Sequence, residues 1–519
     1  MFRQVLSGAR PGFFVESLWP GPLWVATLLT DEPMQFSPST SAGHRPAAEP
    51  NSQFAVLGWM ALPLLLSFAL FQVSPVLAIA LQLVIFCSVV GKLPFFLLAV
   101  FAAMPFQQSL FGGESLSSPN VSLVDVLACL LFFVLIFTMN GRGALRIGPV
   151  AVPILIYIGI MFASSLAHWE GFSTAISLAR MLMATLVAIL IFANFPDAYR
   201  LAHRGFDVFL MALNVLSFFA MAAFAQGGVQ ASMYTLGINK NSLGPTFGCG
   251  IVVCMSYLLT EQVFGKRAQF LKASLALSTI GCFLSLSRGA WVATTIAYFV
   301  VLILAKNKRA FWSSFTMMVP LLAVLWRLLP KEAATYASDV STSAYTIQTR
   351  FETIGIVLAA FKSNPLMGVG IGLRKAVEPH NVLILTLGES GIVGLLGFIA
   401  MFAAGFYTFY LAWKKTAKSL PDRQLVLIGV AILLLSLIHG CMDVYWRRGI
   451  GFLGWACVGL AVQIIASARA ASTGDSTGGS ASTDHSAPVK SRWGSKSKTA
   501  KKRGGRPTST ALRGRAARV

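Results

Sequence analysis

Residues 148–167 read GPVAVPILIYIGIMFASSLA, twenty residues without one charged side chain. A helix of that length, rising 1.5 Å per residue, crosses the ~30 Å of hydrocarbon in a bilayer. Backbone buried in lipid must satisfy its own hydrogen bonds, so an apolar run of this length predicts a helix. Arg142 and Arg146 stand just before the run, while 167–171 just after it holds no basic residue. The run therefore enters the membrane from the basic, cytoplasmic side and leaves it on the other.

Similar blocks recur along the chain. They begin near Phe54, Ser74, Leu93, Val121, Gly148, Phe172, Phe206, Ser242, Ala268, Arg288, Phe311, Gly391, Gln424 and Gly449. The third is short, which predicts an all-α, polytopic membrane protein of 12–14 spans. Composition agrees: 56% of the 519 residues are hydrophobic and only 12% charged, about half the charge of an ordinary soluble domain. The net charge of +22 is no nucleic-acid signal, because much of it lies in the final fifty residues and in short loops between apolar blocks. The seven cysteines (87, 129, 249, 254, 282, 441 and 457) show no CxxC pair and fall almost entirely within those blocks, as small packing residues do.

The organisation expected is a leader at 1–53, a membrane domain at 54–468 and a tail at 469–519. The leader lacks the unbroken apolar core and cleavage site of a signal peptide, and the reading is a disordered or interfacial cytoplasmic segment. The tail is Ser/Thr/Gly-rich and then Lys/Arg-rich, a composition that cannot build a core. Alternate loops carry Lys92; Arg200 and Arg204; Lys266, Arg267 and Lys272; Lys306, Lys308 and Arg309; Lys414, Lys415, Lys418 and Arg423. Both termini are then cytoplasmic, and the long hydrophilic segment 328–381 lies outside.

Within that outer segment Ile347, Phe351, Ile354, Leu358 and Phe361 recur at spacings of four and three, one face of a helix. Ser341, Thr342 and Ser343 offer N-caps and Asn364-Pro365 closes the helix, which as an amphipathic rod would lie along the membrane surface. MGVGIG at 367–372 permits tight turns, and Pro379-His380-Asn381 leads back into the bilayer. Residues 382–411 are too long for one span, so a short re-entrant helix with its junction near Gly391 is expected.

Cations on the outer side run against the positive-inside bias, and anion binding is one reason for them. For Arg327, Lys331 and Lys362 the plainer reading, interfacial snorkelling, is favoured. Arg288 differs: in Ser285-Leu286-Ser287-Arg288-Gly289 it joins two spans almost without a loop, and its planar fork suits phosphate oxygens. Arg180 lies eight residues into its span, where an arginine needs a polar cavity or a partner such as Asp125 or Glu389. His380 is the one histidine of the outer loop; set among glycines and arginines, its imidazole suits proton abstraction from a hydroxyl nucleophile. A helix unbroken from His380 would turn Glu389 about 180° away from it. Asn239-Lys240-Asn241 precedes a span, with Asn241 at the expected N-cap and its polar groups available to a ligand. No Walker loop, dinucleotide fingerprint, HExxH or outer DxD pair occurs, so neither metal nor cofactor is expected and arginines should neutralise any phosphate.

The order Arg350, Asn364-Pro365-Leu366-Met367-Gly368-Val369-Gly370, Pro379-His380-Asn381 and Gly388-Glu389-Ser390-Gly391-Ile392-Val393-Gly394 resembles the signature of bacterial O-antigen ligases and polymerases, with Ser287-Arg288-Gly289 and Asn241 upstream. The resemblance covers roughly 235–400. It implies a metal-independent glycosyltransferase of the bacterial cytoplasmic (inner) membrane that takes a glycan from undecaprenyl pyrophosphate. The acceptor is a hydroxyl of lipid A-core, another glycan or a protein, at the periplasmic face. Carried over, Arg288 and Arg350 hold the pyrophosphate and His380 is the base, with Arg180, Lys240, Asn241, Arg374, Asn381 and Glu389 as binding residues. Membrane lipids are expected partners and nucleic acid is not. Two other classes compete: a lipid-linked sugar transporter or flippase, and a scaffold using the basic tail. The chain shows no internal repeat of the transporter kind.

Overall fold

The computed structural model describes residues 93–107, 122–138, 145–196, 198–260, 265–328, 342–373, 379–416, 420–443 and 449–477, with the isolated residues 331, 334, 335 and 377. It is an all-α polytopic membrane protein, 87% helical with no strand among the described residues. The helices are α1 (Leu93–Ala103), α2 (Leu123–Thr138), α3 (Ala151–Ala167), α4 (Phe172–Leu182), α5 (Ala188–Asn194), α6 (Ala198–Met233), α7 (Lys240–Thr260), α8 (Gly265–Leu284), α9 (Arg288–Ala305), α10 (Lys308–Leu328), α11 (Thr342–Ser363), α12 (Val382–Lys415), α13 (Leu420–Gly440) and α14 (Gly449–Thr477). A π-helical turn, Met183–Val187, joins α4 to α5 into one rod. Residues 471–519 form a second unit, described only over its helical 471–477.

Seven described helices are long and apolar enough to cross a bilayer: Ser173–Asn194, Ala198–Gly228, Lys240–Thr260, Arg288–Ala305, Val382–Lys415, Leu420–Gly440 and Ile450–Arg469. Leu93–Ala103, Leu123–Phe137 and Ala151–Ala167 are apolar but shorter. Helices α8 and α10 occupy the blocks expected near Ala268 and Phe311. The leader and the spans expected near Phe54 and Ser74 lie outside the described residues. Large apolar side chains point outward, among them Phe137, Val152, Phe218, Ile303 and Leu396. That is the surface of a protein whose solvent is hydrocarbon.

The packing centre is α7, whose side chains are almost all buried. Small residues let its neighbours approach: a methyl group on Gly244 would collide with Ala290 of α9, and one on Gly281 of α8 with Phe247 of α7. Without a hydrophobic drive between helices in lipid, such close backbone packing supplies the attraction.

Tertiary hydrogen bonds sort the helix ends into two sets. At one end Asn194 exchanges bonds with the Arg146 backbone (2.7 and 2.8 Å). There too Gln463 ties Phe195 to Tyr199 (2.6 and 2.8 Å), Arg267 approaches Asp207 at 4.0 Å, and Asn307 donates to the Leu259 carbonyl at 3.0 Å. The opposite end gathers Ser164 and Ser165, Ser232, the 285–288 turn, the 370–372 loop and residues 380–381 and 441–443. The basic loop residues therefore share one end, and the glycine loop and His380 share the other.

Helix α12 breaks where expected: Gly391 has φ 65°, ψ −167°, a conformation that L side chains rarely adopt. The outer helix also exists as α11, but its packed face differs from the apolar stripe. Val357 is the fully buried position, set against Gly388, while Phe351 is 69% exposed and Leu358 lies outward with it. Of the stripe, Phe351 and Leu358 are free to meet lipid, while Ile354 and Phe361 are half-buried beside Val357 on the side that packs on α12. Caps at 341–343 lie outside the described side chains.

Candidate functional site

Asn381 is the N-cap of α12: its Oδ1 accepts from the backbone N–H of Leu383 (2.9 Å) and of Ile384 (3.1 Å). Its Nδ2 donates to the Cys441 carbonyl at 2.9 Å, so the start of α12 is tied to the turn that ends α13. The amide expected to bind ligand thus holds the frame of the site. Directly before it, His380 takes a left-handed backbone, φ 51°. The half-buried ring then meets Asp443, Nδ1 to Oδ1 3.5 Å, and Asp443 itself is only 6% exposed. The imidazole thus has a carboxylate within reach on its Nδ1 side.

The same 441–443 turn abuts the Arg288 corner. A methyl on Gly289 would lie 3.1 Å from Met442 Cβ and 3.7 Å from His439 Cδ2. The corner is rigid. Ser285 Oγ donates to the Cys282 carbonyl (2.6 Å), Trp291 Nε1 donates to the same carbonyl (2.9 Å), and the Trp291 ring stacks on Phe283 at 5.4 Å. Ser287 caps α9, and Arg288, exposed, is its first residue. Met442 thus bridges the Arg288 corner to the imidazole–carboxylate pair.

The cap of α7 is shifted by two residues from the expectation. Asn239, not Asn241, caps it: the Asn239 carbonyl accepts from Ser242 and Leu243 (2.8 and 2.9 Å), and its Oδ1 accepts from Asn241 N (2.9 Å). Asn241 is released to accept from the Ser287 hydroxyl at 3.4 Å, which joins the half-buried Lys240 and the Arg288 corner.

Arg350 comes to the same end by register. Val357 lies against Gly388, and the Pro365 and Leu366 carbonyls accept from Ile392 and Val393 (2.9 and 3.4 Å), so α11 and the start of α12 run in the same direction. Arg350 shares the Val357 face, two turns or ~10 Å earlier, level with residues 380–381. It is half-buried.

Glu389 is fully buried, and its Oε1 accepts from Gly372 N at 3.0 Å. The helix break leaves it serving the glycine loop. Arg180 is half-buried on α4 just before the π turn, the kind of irregularity that accompanies functional positions in helices. Asp125, one partner considered for it, accepts from Ser122 N and Oγ (both 2.8 Å) at the start of its own helix. Arg374 lies outside the described residues. Among the described residues no group of three or more His, Cys, Asp or Glu side chains could hold a metal ion.

Asp443 escaped the sequence reading, as did Ser164 and Ser165. The available signal for Asp443 was an acid four residues after His439 at the outer end of a span.

The O-antigen ligase family model matches residues 273–399, a segment holding Arg288, Arg350, His380, Asn381 and Glu389. Lys240, Asn241, Arg180 and Asp443 fall outside the match. No curated protein matches the chain. The matched segment contains both the Arg288 corner and the His380 loop that the fold brings to one end, and over these residues, about a quarter of the chain, this multi-pass membrane protein is similar to the O-antigen ligase family.

Proposed function

We propose that the protein transfers a glycan from undecaprenyl pyrophosphate to an acceptor hydroxyl at the periplasmic face of the bacterial cytoplasmic membrane. The observation that carries this reading is the His380/Asp443 pair seated beside the Arg288 corner, at the end opposite the basic loops. Lys and Arg segregate to the cytoplasm, which puts this end outside, and with it both termini inside.

His380 takes the proton of the acceptor hydroxyl as its oxygen attacks the anomeric carbon. The bond from that carbon to the pyrophosphate oxygen breaks, and undecaprenyl pyrophosphate leaves with the electron pair. Arg288 and Arg350 neutralise the charge that develops there, and the first turn of α9 adds backbone N–H groups of the same polarity. The proton remains on His380, where Asp443 stabilises the imidazolium. The acceptor is defined by its hydroxyl, whether on lipid A-core, a growing glycan or a protein. The exposed Phe351 and Leu358 of α11 lie along the outer leaflet and keep the site at the level of the lipid's phosphates.

The test is purified protein in vesicles with lipid-linked glycan and acceptor. Wild type should form product; Arg288→Ala, Arg350→Ala and His380→Ala should insert normally and form none. Translocation of the lipid-linked glycan without transfer would replace this reading with a flippase.

A further inference from the structure

A helix broken at depth leaves orphan acceptors before the break and orphan donors after it, each costly in a bilayer. In α12 the 365–372 loop answers them. Val369 N donates to the Gly388 carbonyl (3.0 Å) and Gly370 N to the Glu389 carbonyl (2.9 Å), while Ile392 N donates to the Pro365 carbonyl (2.9 Å). The loop backbone is itself held in return, one amide at a time. Gly370 N donates to Ser164 Oγ, Ile371 N to Ser165 Oγ and Gly372 N to Glu389 Oε1, each at 3.0 Å. The two serines come from α3, a helix remote in sequence, and Ser164 Oγ also donates to the Glu389 carbonyl at 2.7 Å. All three side chains are buried, Glu389 at 0% exposure. The loop fits the break without slack: a methyl on Gly368 would fall on the Glu389 and Ser390 backbone.

Satisfying the break requires only the backbone pairs. The additional side-chain hold acts on three consecutive amides, those of residues 370–372, eight residues before His380. A carboxyl group is costly to bury unless it is hydrogen-bonded, and Glu389 accepts one of these three amides. We propose that Ser164, Ser165 and Glu389 are positioning residues of the transfer site, clamping the glycine loop so that His380 and the Arg350 helix keep their mutual setting. The inference rests on the glycosyltransferase reading, and it moves Glu389 from substrate contact to support of the loop.

Full-length protein in vesicles, supplied with lipid-linked glycan and a hydroxyl acceptor, tests it. Ser164→Ala, Ser165→Ala and Glu389→Ala should lower kcat about 10- to 100-fold, the cost of a small misplacement, with donor KM within about twofold. Glu389→Gln should restore most of the rate, since an amide oxygen still accepts from Gly372 N–H. Hydrogen exchange at residues 370–372 should quicken in each Ala variant while the 350–360 amides keep their protection. A raised KM at unchanged kcat with no rescue by glutamine would make Glu389 a substrate ligand and overturn the proposal. Unchanged exchange at 370–372, or exchange rising throughout the protein, would overturn it as well. If Glu389→Ala fails to insert, the two serine variants decide the matter alone. A wild type that transfers no glycan would remove the functional reading, whereas normal transfer with unaltered exchange would remove only the clamp.

Discussion

His380 adopts φ 51°, a conformation costing an L residue about 1–3 kcal/mol, and the Asn381 cap bonds on either side of α12's first turn offset it. The strain aims the imidazole at Asp443. His380→Ala should therefore cut the single-turnover rate about 10²- to 10⁴-fold, the range for loss of a general base, with donor binding retained in a lipid-extraction assay. Asp443→Asn keeps the shape and removes the charge; its expected effect is a kcat fall of about tenfold or more with little change in KM. An equal fall in both variants' donor binding would show that the pair holds substrate instead. Arg288→Lys keeps the charge but loses the planar fork, and product formation should drop well below wild type. Arg288 and His380 were legible because polar residues among apolar blocks stand out in any sequence. Asp443 was not, since its approach to His380 depends on α13 folding back to the start of α12. The shift from Asn241 to Asn239 is a two-residue choice set by backbone angles, which sequence preference for asparagine cannot rank.

At the level of elements, the break in α12 was legible from length: residues 382–411 exceed one crossing, and glycines cluster where the excess can be shed, with Gly391 among them. What completes the break was not legible, because its partners lie on α3 and in the preceding loop. Gly391→Ala should destabilise the protein by about 1–3 kcal/mol from φ alone, and more because its methyl would fall on the Leu366 carbonyl. Thermal unfolding in detergent would measure it, with Gly355→Ala, which meets nothing nearby, as the matched control. The periodicity of α11 identified a helix correctly but assigned its faces by hydrophobicity. Phe351 and Leu358 face outward, as an amphipathic helix along a membrane surface requires, whereas Ile354 and Phe361 are drawn partly into the α12 contact.

Across the whole molecule, the partition of helix ends is the feature on which orientation rests. Single cysteines in the 364–372 loop should react with a membrane-impermeant thiol reagent from the periplasm and not from the cytosol, and the reverse labelling would undo the proposed chemistry. The tail beyond 469 carries basic residues that in the proposed orientation serve only as a cytoplasmic anchor, so its deletion should leave transfer in reconstituted vesicles largely intact. The broken helix has one more implication, for biogenesis. Donors and acceptors at Gly391 find their partners in residues that precede α12 in the chain, so the segment emerging first from the ribosome carries the groups its successor needs. The two halves of α12 need never sit in lipid with bare amides. Insertion and docking are coupled in the order of synthesis, and moving the loop to the far side of α12 by circular permutation should trap the protein as an unassembled, protease-sensitive intermediate.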